Sequence, residues 1–172
     1  MQPVALHVRS DKGTSTAPDL RELFGQAASS TWIVTGRGPD GPVGFTAISV
    51  ASASLNPPMV TFNVGMAAAS LVTLRETRKA NLQLLSEGQD GLALRFSGER
   101  NHRFNDPSVW RDGAHGCPDI LGVVGRLFVD IHEFVEAGDS VVIVAQVIAA
   151  ESDPTRRPLI HHARRYTRIV DL

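Results

Sequence analysis

The chain has 172 residues, of which 42% are hydrophobic and 20% charged, with a formal net charge of −1. This composition is typical of one globular domain, and it excludes both the basic field of a nucleic-acid-binding protein and a disulfide framework, because Cys117 is the only cysteine. No apolar run reaches the about 20 residues of a membrane-spanning helix. We expect a cytoplasmic domain over residues 18–172, preceded by a flexible arm at residues 1–17 without the apolar segment of a signal peptide.

The first half of the domain is predicted to alternate short strands with helices. Residues 19–28 are predicted to form a helix, because Leu20, Leu23 and Phe24 share one face at helical spacing. β-branched and aliphatic residues indicate strands farther along, and capping residues indicate where helices begin. These patterns predict strands at residues 31–35, 43–54, 59–64 and 80–85, a helix at 71–78 capped by Ser70, and a helix from a Ser86/Gln89 capping box to Phe96 with Leu92, Ala93 and Phe96 facing inward.

The second half is predicted to be mostly strand. Residues 101–118 are irregular with Trp110 as an anchor, and the strand that follows has a clear alternation. The elements of this half are a strand with Leu127, Val129, Ile131 and Val135 on one face, a turn at residues 137–139, an apolar strand at 141–149 covered on both faces, and a last strand from 159 towards 169. Many short strands with two or three helices favour a barrel over a sheet of βαβ units.

Gly36, Gly38 and Gly41 spell the G-x-G-x-x-G string of a dinucleotide-binding turn. That motif should open a helix and be followed by an acidic residue about 20 positions later. Here Pro39 and Asp40 form a turn, a strand follows, and the next carboxylate comes only at Glu76. The glycines therefore indicate a hairpin turn and not a Rossmann domain.

The segment between Asp40 and Arg75 contains no charged side chain. Hydroxyls and backbone N–H groups in such a segment can hold a phosphorylated ligand, and residues 63–70 lead into the start of a helix, where a phosphate is stabilised. Composition alone favours the alternative of a buried barrel strand whose hydroxyls pair with neighbouring strands. The hydroxyls concerned are Thr46, Ser49, Ser52, Ser54, Thr61 and Ser70.

Residues 44–58, which read GFTAISVASASLNPP, resemble the hallmark of the flavin reductase-like family, G-(M/F)-T-x-S-S-F-x-S-x-S-x-x-P-P. The resemblance continues in the family's order over nearly the whole chain, from residue 20 to residue 169. The further matching positions are Val60-Thr61-Phe62, Ser70, residues 80–85, Trp110 with Gly116 and Pro118, residues 137–139 with 145–147, and residues 157–160 with Tyr166.

This resemblance implies a mainly β fold, an FMN-binding split β-barrel of Greek-key type with short flanking helices. It also implies a homodimer that passes a hydride from NADH or NADPH to FMN or FAD and supplies reduced flavin to a partner monooxygenase. Two alternatives share the barrel. One is a flavoprotein that binds FMN without NAD(P)H turnover. The other is an oxidase of the pyridoxamine-phosphate type, for which more Arg and Lys would be expected in the phosphate loop than residues 64–70 contain.

The resemblance also implies which residues bind the ligands. The hydride chemistry belongs to the cofactors, so no catalytic acid/base pair and no metal are expected. The implied positions are Thr46, Ala47, Ile48 and Ser49 along the isoalloxazine, Ser52, Ser54, Asn63, Val64, Gly65, Ala69 and Ser70 at the ribityl chain and phosphate, and Phe45, His162 and Arg165 on the nicotinamide side.

Other reactive side chains are given less weight. His115 and Cys117 could form a catalytic pair, but a loop thiol without a role is favoured. His161 and His162 are adjacent on a predicted strand, so their side chains should point to opposite faces and not share a metal. One arginine group is expected on the surface and not in a site: Arg95, Arg100 and Arg103. A second group could equally steer a dinucleotide phosphate or form a solvated basic strand: Arg164, Arg165 and Arg168.

Overall fold

The computed structural model describes residues 20–170, and strands dominate this part of the chain. Three helices and one 3₁₀ turn accompany them: α1 (Leu20–Gln26), α2 (Ala69–Thr77), α3 (Asp90–Ser97) and η1 (Arg100–His102). In chain order the strands are β1 (Ser29–Ser30), β2 (Trp32–Gly38), β3 (Gly41–Ala47), β4 (Ala51–Leu55), β5 (Pro58–Gly65), β6 (Lys79–Leu84), β7 (Trp110–Asp112), β8 (Pro118–Ile120), β9 (Gly125–Ala137), β10 (Ser140–Ser152), β11 (Ile160–His162) and β12 (Arg165–Thr167).

Seven strands form one antiparallel sheet in the order β3-β2-β6-β9-β10-β5-β4. The sheet curls so that β3, at one edge, approaches β5 near the other. β4 pairs with β5 only between Pro58 and Thr61, so the end of β5 has no strand partner on that side. The result is a barrel wall with a gap between β3 and residues 62–65, which confirms the expected mainly β fold.

Apolar residues at alternate positions of the strands fill the barrel. Val141, Ile143 and Ala145 of β10 are fully buried and meet Phe62 of β5 in the core. The prediction that both faces of β10 are covered holds only in part, because the intervening residues are half-buried and Ile148 is 50% exposed. The outer face of β10 is therefore incompletely covered within a single chain.

A β-bulge corrects the predicted alternation of β9. Ile131 pairs with Ala145 and Glu133 with Val144, which leaves the residue between them as an extra one on β9. A bulge shifts every later side chain to the opposite face. Phe134 consequently packs against the core and Val135 is 48% exposed, so the prediction that Val135 faces inward is wrong.

The helices form close to where they were predicted, but both predicted N-caps are wrong. The N-cap of α2 is Ala68, without a side-chain hydrogen bond, and Ser70 is buried in the first turn instead. α3 begins at Asp90 with Gln89 as its N-cap, so Ser86 lies before the helix, where its N–H donates to Gln89 Oε1 at 2.9 Å and its hydroxyl donates to Gly122. The three residues of α3 predicted to face inward are buried: Leu92, Ala93 and Phe96.

Two chain reversals frame the barrel. Gly38 pairs with Gly41 across a tight β2–β3 hairpin, as the glycine pattern predicted, and Gly41 has a φ of 110°. The single strand predicted at residues 159–169 is instead the β11–β12 hairpin. Its turn places Ala163 and Arg164 in the left-handed region, which a sequence without glycine there did not indicate.

The apolar face of α1 is exposed and not inward, with Leu20, Leu23 and Phe24 each more than half accessible. The arm predicted at residues 1–17 lies outside the described residues. Within residues 20–170, none of the helices is long and apolar enough to cross a membrane.

Candidate functional site

A cavity of about 300 Å³ lies at the gap between β3 and the end of β5. This volume is at the lower end of the range of about 300–1,000 Å³ typical of small-molecule sites. Three parts of the chain form its wall: Pro42, Val43, Gly44, Phe45 and Thr46 of β3, Asn63, Val64, Gly65, Ala68, Ala69 and Ser70 from β5 to the start of α2, and Arg100, Arg103 and Phe104 after α3.

The β5 side of the cavity presents backbone donors. The Asn63 N–H leaves the sheet on the side away from β10 and donates to Ser49 Oγ at 2.9 Å. Because successive peptide groups of a strand point in opposite directions, the Gly65 N–H points to the same side as that of Asn63. The Gly65 carbonyl accepts the Ala68 N–H at 2.9 Å, which turns the chain towards α2. Because Ser49 already satisfies the Asn63 N–H, the Gly65 N–H is the main-chain donor of these two that is left on the side of the gap.

The β3 side is held in place by α3 and the segment after it. The Thr46 hydroxyl donates to the Ala93 carbonyl at 2.6 Å, so the lone pairs of its oxygen are left to accept a hydrogen bond. Gly44 lies directly under Phe96 and Phe104, and a Cβ there would be 2.9 Å and 3.2 Å from their rings. Only glycine lets β3 approach these aromatic rings so closely.

Arg103 fastens the β3 wall. Its Nη1 donates to the Gly44 carbonyl at 2.5 Å, and its Nη2 donates to the Gly98 carbonyl at 2.7 Å. Burial, and secondarily the neighbouring Arg100, lower the pKa of Arg103. Within the described part of the chain, the Arg100 side chain has no hydrogen bond or ion pair, and it is exposed on the cavity rim.

Sequence reasoning missed these two cavity arginines, which it had placed on the surface away from any site. Only Arg95 of that group matches the expectation, since it pairs with Asp106 at 3.4 Å away from the cavity wall. The segment folds back over β3 because Phe104 packs edge-to-face between Phe96 and Trp110, at centroid distances of 5.1 and 5.2 Å. One aromatic residue in a charged stretch was the available signal.

Among the sequence-predicted site residues, the structure brings seven together in the cavity wall: Phe45, Thr46, Asn63, Val64, Gly65, Ala69 and Ser70. Four others lie from the last residue of β3 to β4: Ala47 ends β3 and is buried, Ile48 is 44% exposed, Ser49 accepts the Asn63 N–H, and the Ser54 oxygen accepts the Asn56 N–H. Ser52 on β4, and His162 and Arg165 on the β11–β12 hairpin, are exposed and do not line this cavity.

The other reactive side chains do not form a second centre. Cys117 is buried, burial raises the pKa of its thiol, and the ring of His115 lies against Phe128 at 4.0 Å. His161 is half-buried against Tyr166, and His162 is exposed. Between residues 20 and 170, no group of three His, Cys, Asp or Glu side chains is arranged to hold a metal ion.

Comparison with known proteins places this cavity in a family context. The model of the flavin reductase like domain matches residues 24–170. An NADH:FMN oxidoreductase of Rhodococcus erythropolis is 33% identical over 160 residues, which is 91% of this chain and 83% of that protein. An NADH-dependent FAD reductase of Streptomyces globisporus is 32% identical over 156 residues, covering 88% of this chain and 85% of that protein.

Solved structures agree. The NADH:FAD oxidoreductase of Streptomyces globisporus C-1027, in complex with NAD and FAD fragments, superposes with a TM-score of 0.82 at 32% identity and covers 88% of this chain and 91% of that one. BorF, the flavin reductase component of a bacterial two-component tryptophan halogenase, has a TM-score of 0.81 at 28% identity and covers 89% and 98%. The expected split-barrel fold is confirmed, and the chain belongs to the flavin reductase-like domain family.

Proposed function

We propose that this protein is an NAD(P)H:flavin oxidoreductase, which passes a hydride from NADH or NADPH to FMN or FAD. The observation that supports it is the cavity between the unpaired edges of β3 and β5, where backbone donors and hydroxyls face two arginines. The similarity to NADH:FMN and NADH-dependent FAD reductases supports the same reaction.

The residues present fit a flavin. A flavin has a flat ring with a polar edge and a phosphate-bearing side chain, and the cavity offers both kinds of partner. The edge of β3 around Thr46 suits the polar edge of the ring, because the Thr46 hydroxyl donates to Ala93 and its oxygen keeps lone pairs that can accept a hydrogen bond. Ser70 and the amides at the start of α2 suit the phosphate end, where unpaired N–H groups favour an anion.

When bound, flavin and nicotinamide supply the hydride chemistry between them. The role of the protein's own residues is to hold the flavin and the nicotinamide and to orient them. Within residues 20–170, Arg100 and Arg103 are the only ionisable side chains in the cavity wall, so the wall offers no carboxylate, imidazole or thiol as a catalytic acid or base. Such a wall suits a reaction whose barrier is lowered by placing two rings against each other.

We extend the proposal to a homodimer. Ile48 is 44%, Leu55 88% and Ile148 50% exposed, although all three are large and apolar. Ile48 follows β3, Leu55 ends β4 and Ile148 lies on β10, and covering such exposed apolar side chains would favour the association of two chains. The nicotinamide-side role of His162 and Arg165 requires such an arrangement, because neither lines the cavity of its own chain. Light scattering of the purified protein tests the dimer, and a monomer at micromolar concentration would contradict it.

We also propose that the reduced flavin is handed to a partner oxygenase by diffusion, in the cytoplasm where nicotinamide cofactors are available. BorF is the flavin reductase component of a bacterial two-component tryptophan halogenase.

Ser52, Ser54 and Ile48 lie outside the cavity wall. In this proposal they contact the flavin only at the rim of the cavity.

The test is a turnover assay. Purified protein is mixed in air with NADH or NADPH and with FMN or FAD, and the loss of nicotinamide absorbance is followed. Sustained loss that rises with the added flavin supports the reductase. Bound yellow flavin without nicotinamide oxidation would support the second candidate, a flavoprotein that holds FMN without turnover. No binding of any flavin at saturating concentration would contradict both.

A further inference from the structure

The cavity wall has a strongly uneven charge. Residues 63–70, where a phosphate would be expected, carry no charged side chain. The opposite wall carries Arg100 and Arg103, which come from the segment after α3, far away in the sequence. Among the described residues of one chain, Arg100 and Arg103 are the positively charged side chains that line this cavity.

The two arginines are not equivalent. Three nitrogens of Arg103 are already committed, because its Nη1 donates to Gly44 and its Nε and Nη2 donate to Gly98. Arg100 has no such commitment within residues 20–170, and its side chain stands on the cavity rim. Arg103 is thus a brace for the β3 wall, whereas the five N–H donors of Arg100 are available to a ligand.

Within residues 20–170, Arg100 forms no ion pair with a carboxylate of the protein. Its neighbour Glu99 is paired with His102 at 3.5 Å, and Asp106 is paired with Arg95 at 3.4 Å. Arg100 also lies close enough to Arg103 to lower the pKa of that residue. Two like charges on one wall repel each other, and an anion bound between this wall and Ser70 would relieve that repulsion.

We propose that Arg100 supplies the charge that binds the phosphate of the flavin, and that it makes the protein selective for phosphorylated flavins, FMN or FAD, over riboflavin. This inference rests on the proposed function. It assigns to η1 the cationic role that the neutral loop at residues 63–70 cannot perform. Arg100 is a specificity-determining residue, because it contacts the ligand far from the reacting ring.

The experiment compares wild type, Arg100→Gln and Arg100→Lys with FMN, FAD and riboflavin as acceptors of hydride from NADH. Arg156→Gln is the matched control, because it removes one exposed charge that lies outside the cavity. A charge-assisted bidentate contact is lost in Arg100→Gln, so we expect the KM for FMN and FAD to rise about tenfold or more. The KM for riboflavin and for NADH should stay within about twofold, and Arg100→Lys should recover part of the loss.

Unchanged riboflavin turnover also shows that each variant is folded. The salt dependence of the KM for FMN should be weaker in Arg100→Gln than in wild type, since one ionic contact is missing. If wild type reduces the three flavins but Arg100→Gln leaves the KM for FMN unchanged, the Arg100 assignment is overturned and the reductase function stands. A rise in the KM for NADH alone overturns it too. If wild type reduces none of the three flavins, the proposed function fails and the assignment fails with it.

Discussion

Two polar regions of the barrel differ in what their donors do. On the closed side, Thr35 and Gln83 both donate to the Pro118 carbonyl, at 2.7 and 3.2 Å, and Asn81 donates to Asp119 at 2.7 Å. All three donors are fully buried, and together they fasten β8 onto β2 and β6. On the open side, Gly65 at the end of β5, Ser70 at the start of α2 and Arg100 line a cavity.

The comparison shows how one sheet can carry both structure and function. Buried polar groups must find partners within the protein, and leaving one unpaired costs about 1–3 kcal/mol. The closed side meets most of this requirement internally, with the buried Asn81 Oδ1 as an atom without a partner among the described residues, so its polar residues specify how the chain is arranged. The open side keeps its donors next to solvent, where water satisfies them until a ligand arrives. Each prediction below changes a residue on one side of the barrel, and the measurement shows whether the other side is affected.

The largest effect is expected from Gly44→Val, which should block the open side. Any side chain there meets the rings of Phe96 and Phe104, so β3 must move away from α3. We expect flavin reduction to fall to background and the free energy of unfolding to drop by about 3 kcal/mol. Gly91→Ala is the control, since a Cβ on that helix residue meets nothing within 4 Å. Normal flavin turnover by a folded Gly44→Val protein would contradict the description of this wall.

A smaller loss is expected from Gln83→Leu on the closed side. It removes the donor to Thr35 and Pro118 and the acceptor of the Ile120 N–H. We expect unfolding to become easier by about 2 kcal/mol, which lowers Tm by roughly 4–8 °C in a domain of this size. The KM for FMN should stay within about twofold. Gln146→Leu, at a half-exposed position beside His132, should change Tm little. A rise in the KM for FMN well beyond this twofold limit would mean that the two sides are coupled.

Ser70→Ala should weaken flavin binding without affecting stability. The hydroxyl lines the cavity and does not cap α2, so its removal costs one neutral hydrogen bond to the ligand. We expect the Kd for FMN to rise about threefold to tenfold, measured by quenching of flavin fluorescence. Ser152→Ala, at the exposed end of β10, is the control. A drop in Tm with unchanged flavin affinity would show that Ser70 has a structural role instead.

The smallest effect concerns Cys117 on the closed side. The thiol is 4% exposed and burial raises its pKa, so the folded state keeps the proton to a higher pH than the unfolded chain does. The free energy of unfolding should therefore be independent of this group below about pH 8.5 and fall as the pH rises through the folded pKa. Urea titrations at pH 7 and pH 10 check the sign, and Cys117→Ser should lose part of the alkaline decrease. An alkaline increase in stability would contradict this account.

Local sequence patterns predicted the strands and helices well where glycine or a clear apolar periodicity determined the geometry. The hairpin at Gly38 and Gly41 and the inward face of α3 are examples. Val135 was predicted on the wrong face because a β-bulge lies between Ile131 and Glu133. The residue types in this part of the strand do not indicate that a bulge is present. The β11–β12 hairpin was missed because Ala163 and Arg164 adopt a conformation that their side chains disfavour.

Only one wall of the cavity could be predicted from the sequence. The uncharged strand and the loop to Ser70 are contiguous in sequence, so their pattern could be read directly. Arg100 and Arg103 reach the cavity only through long-range packing of Phe104 between Phe96 and Trp110. No periodicity within residues 98–110 specifies that contact, so a single sequence could show the charges but not where they end up.

The missing ladder between β3 and β5 has a kinetic consequence. A ligand seated between two strands that do not pair with each other can leave without rupture of any interstrand hydrogen bond. Its escape is then opposed only by the contacts it makes itself, and the residence time should be short. The gap between β3 and β5 therefore favours a flavin that leaves after each turnover and is replaced from solution, over a flavin held permanently as a prosthetic group.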